Sequence, residues 1–337
     1  AATFDGSVSA GVRGGDGKGD IVHATAGASG DLEGVIEIER DKDGAVTAVV
    51  VKYAATGTAY AGEDPSDDGK RWEYTAELPA KIAQSVIEAQ KRLVPVRASF
   101  ARAQEDRMAF CRRFWMKDGT VGWNPGKLNP NILRPAGPID PDVPVVAFGD
   151  SEVKPAAVYV NYAMHQDTVG GTEYSADYAF TLSRLLRDAF APDLLTLFTV
   201  GCAGNLNHFD VAWADPQRSH GEASRIGTVL AAEVLKMMRR LEPIPAGTLK
   251  ARSAIVKLPL PELKEGDLEW AEKIAPTFGR PDAAPFLDLV KAFQILEVEA
   301  RKGKPIGAEV QVIALGKDAA WVGMPGEIFT ELGLAIK

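Results

Sequence analysis

The tightest constraint on the fold lies between Val143 and Val200. Two apolar runs, Val143–Phe148 and Ala156–Tyr162, are followed by an amphipathic stretch at Asp177–Phe190 and a third apolar run, Leu194–Val200. Short runs rich in β-branched residues read as buried strands, and a stretch with helical periodicity reads as a helix packed on them. The first two runs predict a hairpin turning through Asp150. The pattern continues with a helix over Glu222–Leu241, a strand at Leu249–Leu258 and helices near Leu268–Ile274 and Pro285–Arg301. Strands at Val310–Leu315 and Ala319–Val322 turn at Gly316-Lys317, and a last helix opens near Glu327. Apolar strands separated by amphipathic helices imply an α/β fold, a mixed β-sheet covered by helices in a single large domain.

Upstream the signals are weaker. Residues 1–34 are glycine-rich with little periodicity, which predicts an irregular segment. Gly14-Gly15-Asp16-Gly17-Lys18-Gly19 lacks the first glycine and the closing Ser or Thr of a phosphate loop. Alternation at Val35–Glu39, the turn pair Asp43-Gly44 and the β-branched run Val46–Val51 predict a hairpin. Thr75–Leu93 predicts an amphipathic helix with Leu78, Ile82, Val86 and Ile87 on one face. The stretch Gly122–Pro144, rich in proline, glycine and asparagine, predicts an ordered loop. These changes divide the chain into a divergent segment at 1–58 and a main domain at 59–337.

Composition narrows the functional classes. With 38 Lys+Arg against 46 Asp+Glu the net charge is -8, which argues against nucleic acid as a partner. No apolar run approaches the ~20 residues of a transmembrane helix. Cys111 and Cys202 have no partners at metal-ligand spacing and read as buried thiols. A start at Ala1 without Met fits a processed secreted or periplasmic protein, or a fragment.

Chemistry concentrates at three junctions. One apolar run ends in His165-Gln166-Asp167 and another runs through Gly201-Cys202-Ala203-Gly204 into Asn205-Leu206-Asn207-His208-Phe209-Asp210. Ligands bind at the carboxyl ends of strands in such folds. In extended chain each His shares a face with the Asp two residues on, as a metal-ligand pair or a hydrogen-bonded dyad. The alternative for each is a satisfied, partly buried histidine. At the third junction a strand stops at Pro325-Gly326 and Glu327 follows, as a functional carboxylate or as a charge complementing a helix dipole. His23 and His220 read as solvated.

These junctions resemble those of the neutral, non-lysosomal ceramidase family. Tyr162-Ala163-Met164-His165 is similar to its strand ending in a zinc-binding histidine. Gly201–Asn207 resembles its glycine-containing nucleophile or oxyanion turn, and Gly323-Met324-Pro325-Gly326-Glu327-Ile328-Phe329-Thr330 its Pro-Gly-Glu segment. The resemblance covers residues 59–337 and implies a zinc-dependent amide hydrolase. It implies zinc on His165 and Glu327, with a third ligand from Asp167, His208 or Asp210. Asn205 and Asn207 are then donors to a developing oxyanion, His208 a ligand or proton-transfer group, and Arg112 or Arg113 the holder of an anionic group.

The departures are specific. The family's His-x-His pair falls on Ala54–Gly62, which has no histidine, and its turn serine falls on Asn207. Its tyrosine ligand and its C-terminal immunoglobulin-like domain would lie beyond Lys337. The expected substrate is therefore a small-molecule or lipid-like amide, or an ester, other than ceramide. The rival reading is a catalytically silent ligand-binding module on the same scaffold.

Overall fold

The computed structural model describes residues 5–9, 20–28, 30–40, 46–56, 70–151, 154–172 and 174–337. Contacts group the chain into two compact units, one of residues 1–92, 251–312 and 322–324, the other of residues 93–250, 313–321 and 325–337. Four strands come first: β1 (Asp5–Ser9), β2 (Asp20–Ala28), β3 (Gly30–Arg40) and β4 (Val46–Thr56), then helix α1 (Lys70–Lys91). Next are β5 (Arg97–Gln104), β6 (Phe110–Cys111), β7 (Arg113–Met116), β8 (Val121–Trp123), β9 (Ile132–Pro135), β10 (Asp142–Ser151) and β11 (Lys154–Tyr162). They are followed by α2 (Asp177–Ala189), β12 (Leu195–Val200), β13 (Leu206–Asn207), α3 (His220–Met237) and β14 (Glu242–Pro243). The chain continues through β15 (Leu249–Leu258), α4 (Asp267–Ile274), α5 (Phe286–Ala300), β16 (Ile306–Leu315), β17 (Ala319–Gly323) and α6 (Thr330–Ile336).

In the first unit β1 to β4 pair antiparallel in chain order, with Val35 opposite Lys52 and Ile38 opposite Val49. The predicted pairing of the β3 and β4 segments is therefore present. The expectation of an irregular 1–34 is corrected in part, because β1 and β2 lie inside it; the loop-like Gly14–Gly19 falls outside the described residues. Small and β-branched residues such as Val22, Ala24 and Thr25 carry little periodicity alone, yet they pair once β3 offers an edge. Ala271, Ala275, Ala292 and Ile295 bury a smaller core between α4 and α5.

The second unit has the expected α/β character, a mixed sheet covered by helices. Its five strands run β12-β11-β10-β5-β14, with β11 and β12 parallel and β10 antiparallel to both β11 and β5. Alternate residues point to one face, so Val143, Val145, Val158, Val160 and Tyr162 share it and are fully buried. Tyr178, Leu182 and Leu186 of α2 and Ile226, Leu230 and Val234 of α3 pack into the same core. Ser219 caps α3 by accepting from the Glu222 N–H at 3.0 Å, so the helix begins two residues before the predicted Glu222. The helix ends at Met237, short of the predicted Leu241.

Two expectations are corrected nearer the site. The stretch read as loop, Gly122–Pro144, contains β9, the last residues of β8 and the start of β10; β7 pairs with β8 and β9 to make a small sheet. The last helix opens at Thr330, so Glu327 lies in the loop before it rather than in its first turn. Gly326 sits at φ +97°, and the Ile328 N–H returns to the Gly326 carbonyl at 3.1 Å. That left-handed turn directs the chain away from helix for three more residues. Among the described residues no helix is long and apolar enough to cross a membrane.

Candidate functional site

Because β11 and β12 run parallel, with Tyr162 opposite Val200, both histidine loops leave the sheet at the same edge. The buried Tyr178 of α2 holds the first loop, its hydroxyl donating to the Met164 carbonyl at 2.6 Å. The two loops then fasten to each other. His165 Nδ1 lies 2.9 Å from the Leu206 carbonyl, and His208 Nδ1 lies 3.0 Å from Asp167 Oδ1. A carbonyl only accepts, so Nδ1 of His165 donates to it, which leaves Nε2 as the ring atom that can exchange a proton.

Nε2 of His165 faces Glu327, 3.5 Å from Oε1. The predicted approach of these residues across 161 intervening positions is thus present. Arg112 completes the cluster. Pairing of β6 with β13 brings it alongside the glycine turn, where its guanidinium donates to the Gly204 carbonyl at 3.2 and 2.6 Å. The same guanidinium donates to Glu327 Oε2 at 2.9 Å and lies over the Trp123 ring at 4.6 Å. Arg112 is 12% exposed and Glu327 69%, so a largely covered cation holds an open carboxylate. Gly204 makes the close approach possible: its N–H donates to the Ile328 carbonyl at 2.8 Å, and a Cβ there would run into the Glu327 backbone.

Asn205 and Asn207, expected as oxyanion donors, are buried and bonded to their surroundings. Asn205 accepts from the Thr330 N–H at 2.8 Å and donates to Glu331 at 2.9 Å, tying the glycine turn to the start of α6. Asn207 accepts from the Phe209 N–H and donates to Asn124. Asp210 accepts from the Ala212 N–H within its own turn. His208 is buried, and its Nε2 has no hydrogen-bond partner among the described residues, so its contribution runs through Asp167.

Burial alone would raise the Asp167 carboxyl. The hydrogen bond and charge of His208, with the charges of His165 and Arg218, outweigh it and hold the group below the ordinary 3.8. A depressed carboxyl contributes stability that is complete above its unfolded value and is lost as pH falls through the folded one. We therefore expect the stability gap between wild type and Asp167→Asn to close as pH falls below 3.8, through the range of the folded carboxyl. Urea unfolding of both proteins across that range checks it; a gap unchanged at acid pH contradicts it.

Sequence reasoning left Arg112 and Arg113 unresolved and missed Trp123 and Asn124. The structure separates the two: Arg112, in the bend between β6 and β7, bonds Glu327, while Arg113 lies over Phe329.

Zinc, implied by the ceramidase resemblance, can be tested against these side chains. A catalytic zinc takes about three protein ligands and leaves a position for water. Among the described residues no group of three His, Cys, Asp or Glu side chains is placed to hold a metal ion. His165 and Glu327 offer two donors, and Arg112 occupies the second oxygen of Glu327. The described residues do not fit that centre.

No protein-family model matches the chain, and no curated protein matches it. Among solved structures it is similar to neutral ceramidase from Pseudomonas aeruginosa, at 19% identity and a TM-score of 0.49, over 76% of this chain and 44% of that one. It is also similar to a ceramidase complexed with C2, at 17% identity and a TM-score of 0.47, over 74% and 44%. The chain thus spans less than half the length of these structures. Likeness at this level assigns no role to any residue.

Proposed function

We propose that residues 59–337 form a hydrolase of ceramidase type that cleaves an amide or ester other than ceramide at His165, Glu327 and Arg112. The observation that carries this reading is the meeting of those three side chains, from separate stretches of chain, at an open sheet edge. The motif resemblance at Tyr162–His165, Gly201–Asn207 and Gly323–Thr330 supports the same reading.

Because the described residues bring only two of the zinc donors together, the chemistry is written on the chain's own groups. Nε2 of His165 takes a proton from water as the water oxygen adds to the acyl carbon. Glu327 stabilises the imidazolium that forms, and Arg112 fixes the carboxylate for that task. As the C–N or C–O bond breaks, the imidazolium returns its proton to the leaving nitrogen or oxygen.

A second reading, a binding module without turnover, is favoured by one observation. Asn205 and Asn207 spend their amides on neighbours rather than on an oxyanion. The deciding experiment screens the purified protein against short-chain N-acyl amides, nitrophenyl esters and a short-chain ceramide, with zinc added and after chelation. Metal content is measured alongside. Hydrolysis of a non-ceramide substrate that Glu327→Gln abolishes supports the hydrolase. Binding without turnover favours the module, and rapid chelator-sensitive release of fatty acid from ceramide contradicts the substrate assignment.

A further inference from the structure

We propose that one face of the small sheet beside the site docks on anionic lipid bilayers. The sheet runs β8-β7-β9, with Arg113 opposite Trp123 and Trp115 opposite both Val121 and Arg134. Directly paired residues share a face, as do residues two apart along a strand. Arg113, Trp115, Val121, Trp123 and Arg134 therefore form one surface, while Phe114, 4% exposed, points the other way. Trp115, Val121 and Trp123 are each 37% exposed and lie between the two arginines.

The flanking chain adds to this display. Leu128 and Leu133 are both 60% exposed. Leu128 holds a left-handed backbone, φ 52°, which leucine rarely adopts. Its own N–H donates to the Val211 carbonyl at 2.7 Å, and Lys127 Nζ bonds the Ala214 and Asp215 carbonyls at 2.9 and 2.7 Å. The fold thus spends hydrogen bonds on keeping an apolar side chain in water, a strain that points to use elsewhere.

Charge selects the partner. In and next to these strands the exposed or half-buried Arg113, Lys117, Lys127 and Arg134 stand against one acidic residue, Asp118, in a chain whose net charge is -8. Basic residues close to an anionic leaflet are attracted, tryptophan settles at headgroup depth and leucine enters the acyl boundary. The acidic remainder is repelled, so the same asymmetry orients the molecule on the surface. Trp123 carries the guanidinium of Arg112 and lies 6.3 Å from Phe329, so docking would bring the Glu327 mouth to the lipid. That last consequence rests on the proposed hydrolase; docking does not.

The test is sedimentation with vesicles of phosphatidylcholine alone and of an equal mixture with phosphatidylglycerol, followed also by tryptophan emission. We expect about tenfold or stronger binding to the mixed vesicles, weakened by salt, with a blue shift in emission. Leu128→Gly with Leu133→Ser, where glycine suits the left-handed position, should lower binding about tenfold at unchanged melting temperature. Lys117→Glu with Arg134→Glu should remove the preference for phosphatidylglycerol. Equal binding to both vesicles, or binding that both folded variants retain, overturns the proposal. So does salt-sensitive binding to single-stranded DNA at matching affinity, or self-association through the same residues.

Discussion

A His165→Ala variant should lose hydrolysis by about 10²–10⁴-fold in kcat/KM, the usual worth of a positioned acid–base group, while its melting temperature moves little. The expectation follows from how little of the fold the ring holds. It is 22% exposed on its side chain, it makes one hydrogen bond to a backbone carbonyl, and it faces an open carboxylate. Chemistry therefore suffers far more than packing. Kinetics and thermal unfolding on the same preparation separate the two. A loss of activity that tracks a comparable loss of stability would assign His165 to the scaffold and sink the mechanism. Arg112→Lys offers a second check, because a lysine cannot span both the Gly204 carbonyl and Glu327 as the fork of a guanidinium does. It should lower kcat more than it raises KM.

Gly204→Ala should be the most damaging one-atom change in the second unit. The added Cβ would lie 2.7 Å from the Glu327 carbonyl carbon, collide with its oxygen, and sit 2.9 Å from the Phe329 ring. Most of that obstacle is backbone, which cannot rotate aside. Forcing atoms into a packed site costs about 1–3 kcal/mol and more when the neighbour is rigid, so we expect about 3 kcal/mol or more here. Relief requires the Pro325–Phe329 loop to move, which pulls Glu327 from Arg112 and His165. Activity and stability should fall together, unlike in His165→Ala. A crystal structure of the variant with the Arg112–Glu327 pair intact would show that the loop yields more readily than its contacts imply.

The periodic elements were legible in the sequence. β11, α2 and β12 fall within two residues of their expected bounds, and β10 runs three past its expected end, because apolar alternation and helical spacing report burial directly. The short strands β8 and β9 were not, since Gly122, Pro135 and their neighbours carry turn chemistry and become strands only by pairing with β7. The start of α6 was misplaced because Pro325-Gly326-Glu327 looks like a helix opening, whereas the turn at Gly326 is a tertiary outcome. At the site, His165 and Glu327 were recoverable as polar residues closing apolar runs. The engagement of Asn205 with Thr330 and Glu331 was not, because those partners lie 125 and 126 positions away.

The parallel pairing of β11 with β12 has a consequence for the order in which this molecule assembles. The bonds His165–Leu206 and His208–Asp167 both span 41 positions, and the crossover helix α2 lies between their ends. Closing such a span has an entropic cost that local contacts do not repay until the helix docks and the strands align. Either loop as an isolated peptide would carry a histidine without its counterpart. The edge that carries the candidate site is therefore expected late on the folding route, once the crossover is complete. A nascent chain released from the ribosome before β12 would have a hydrophobic core to build but no partner for its His165 loop.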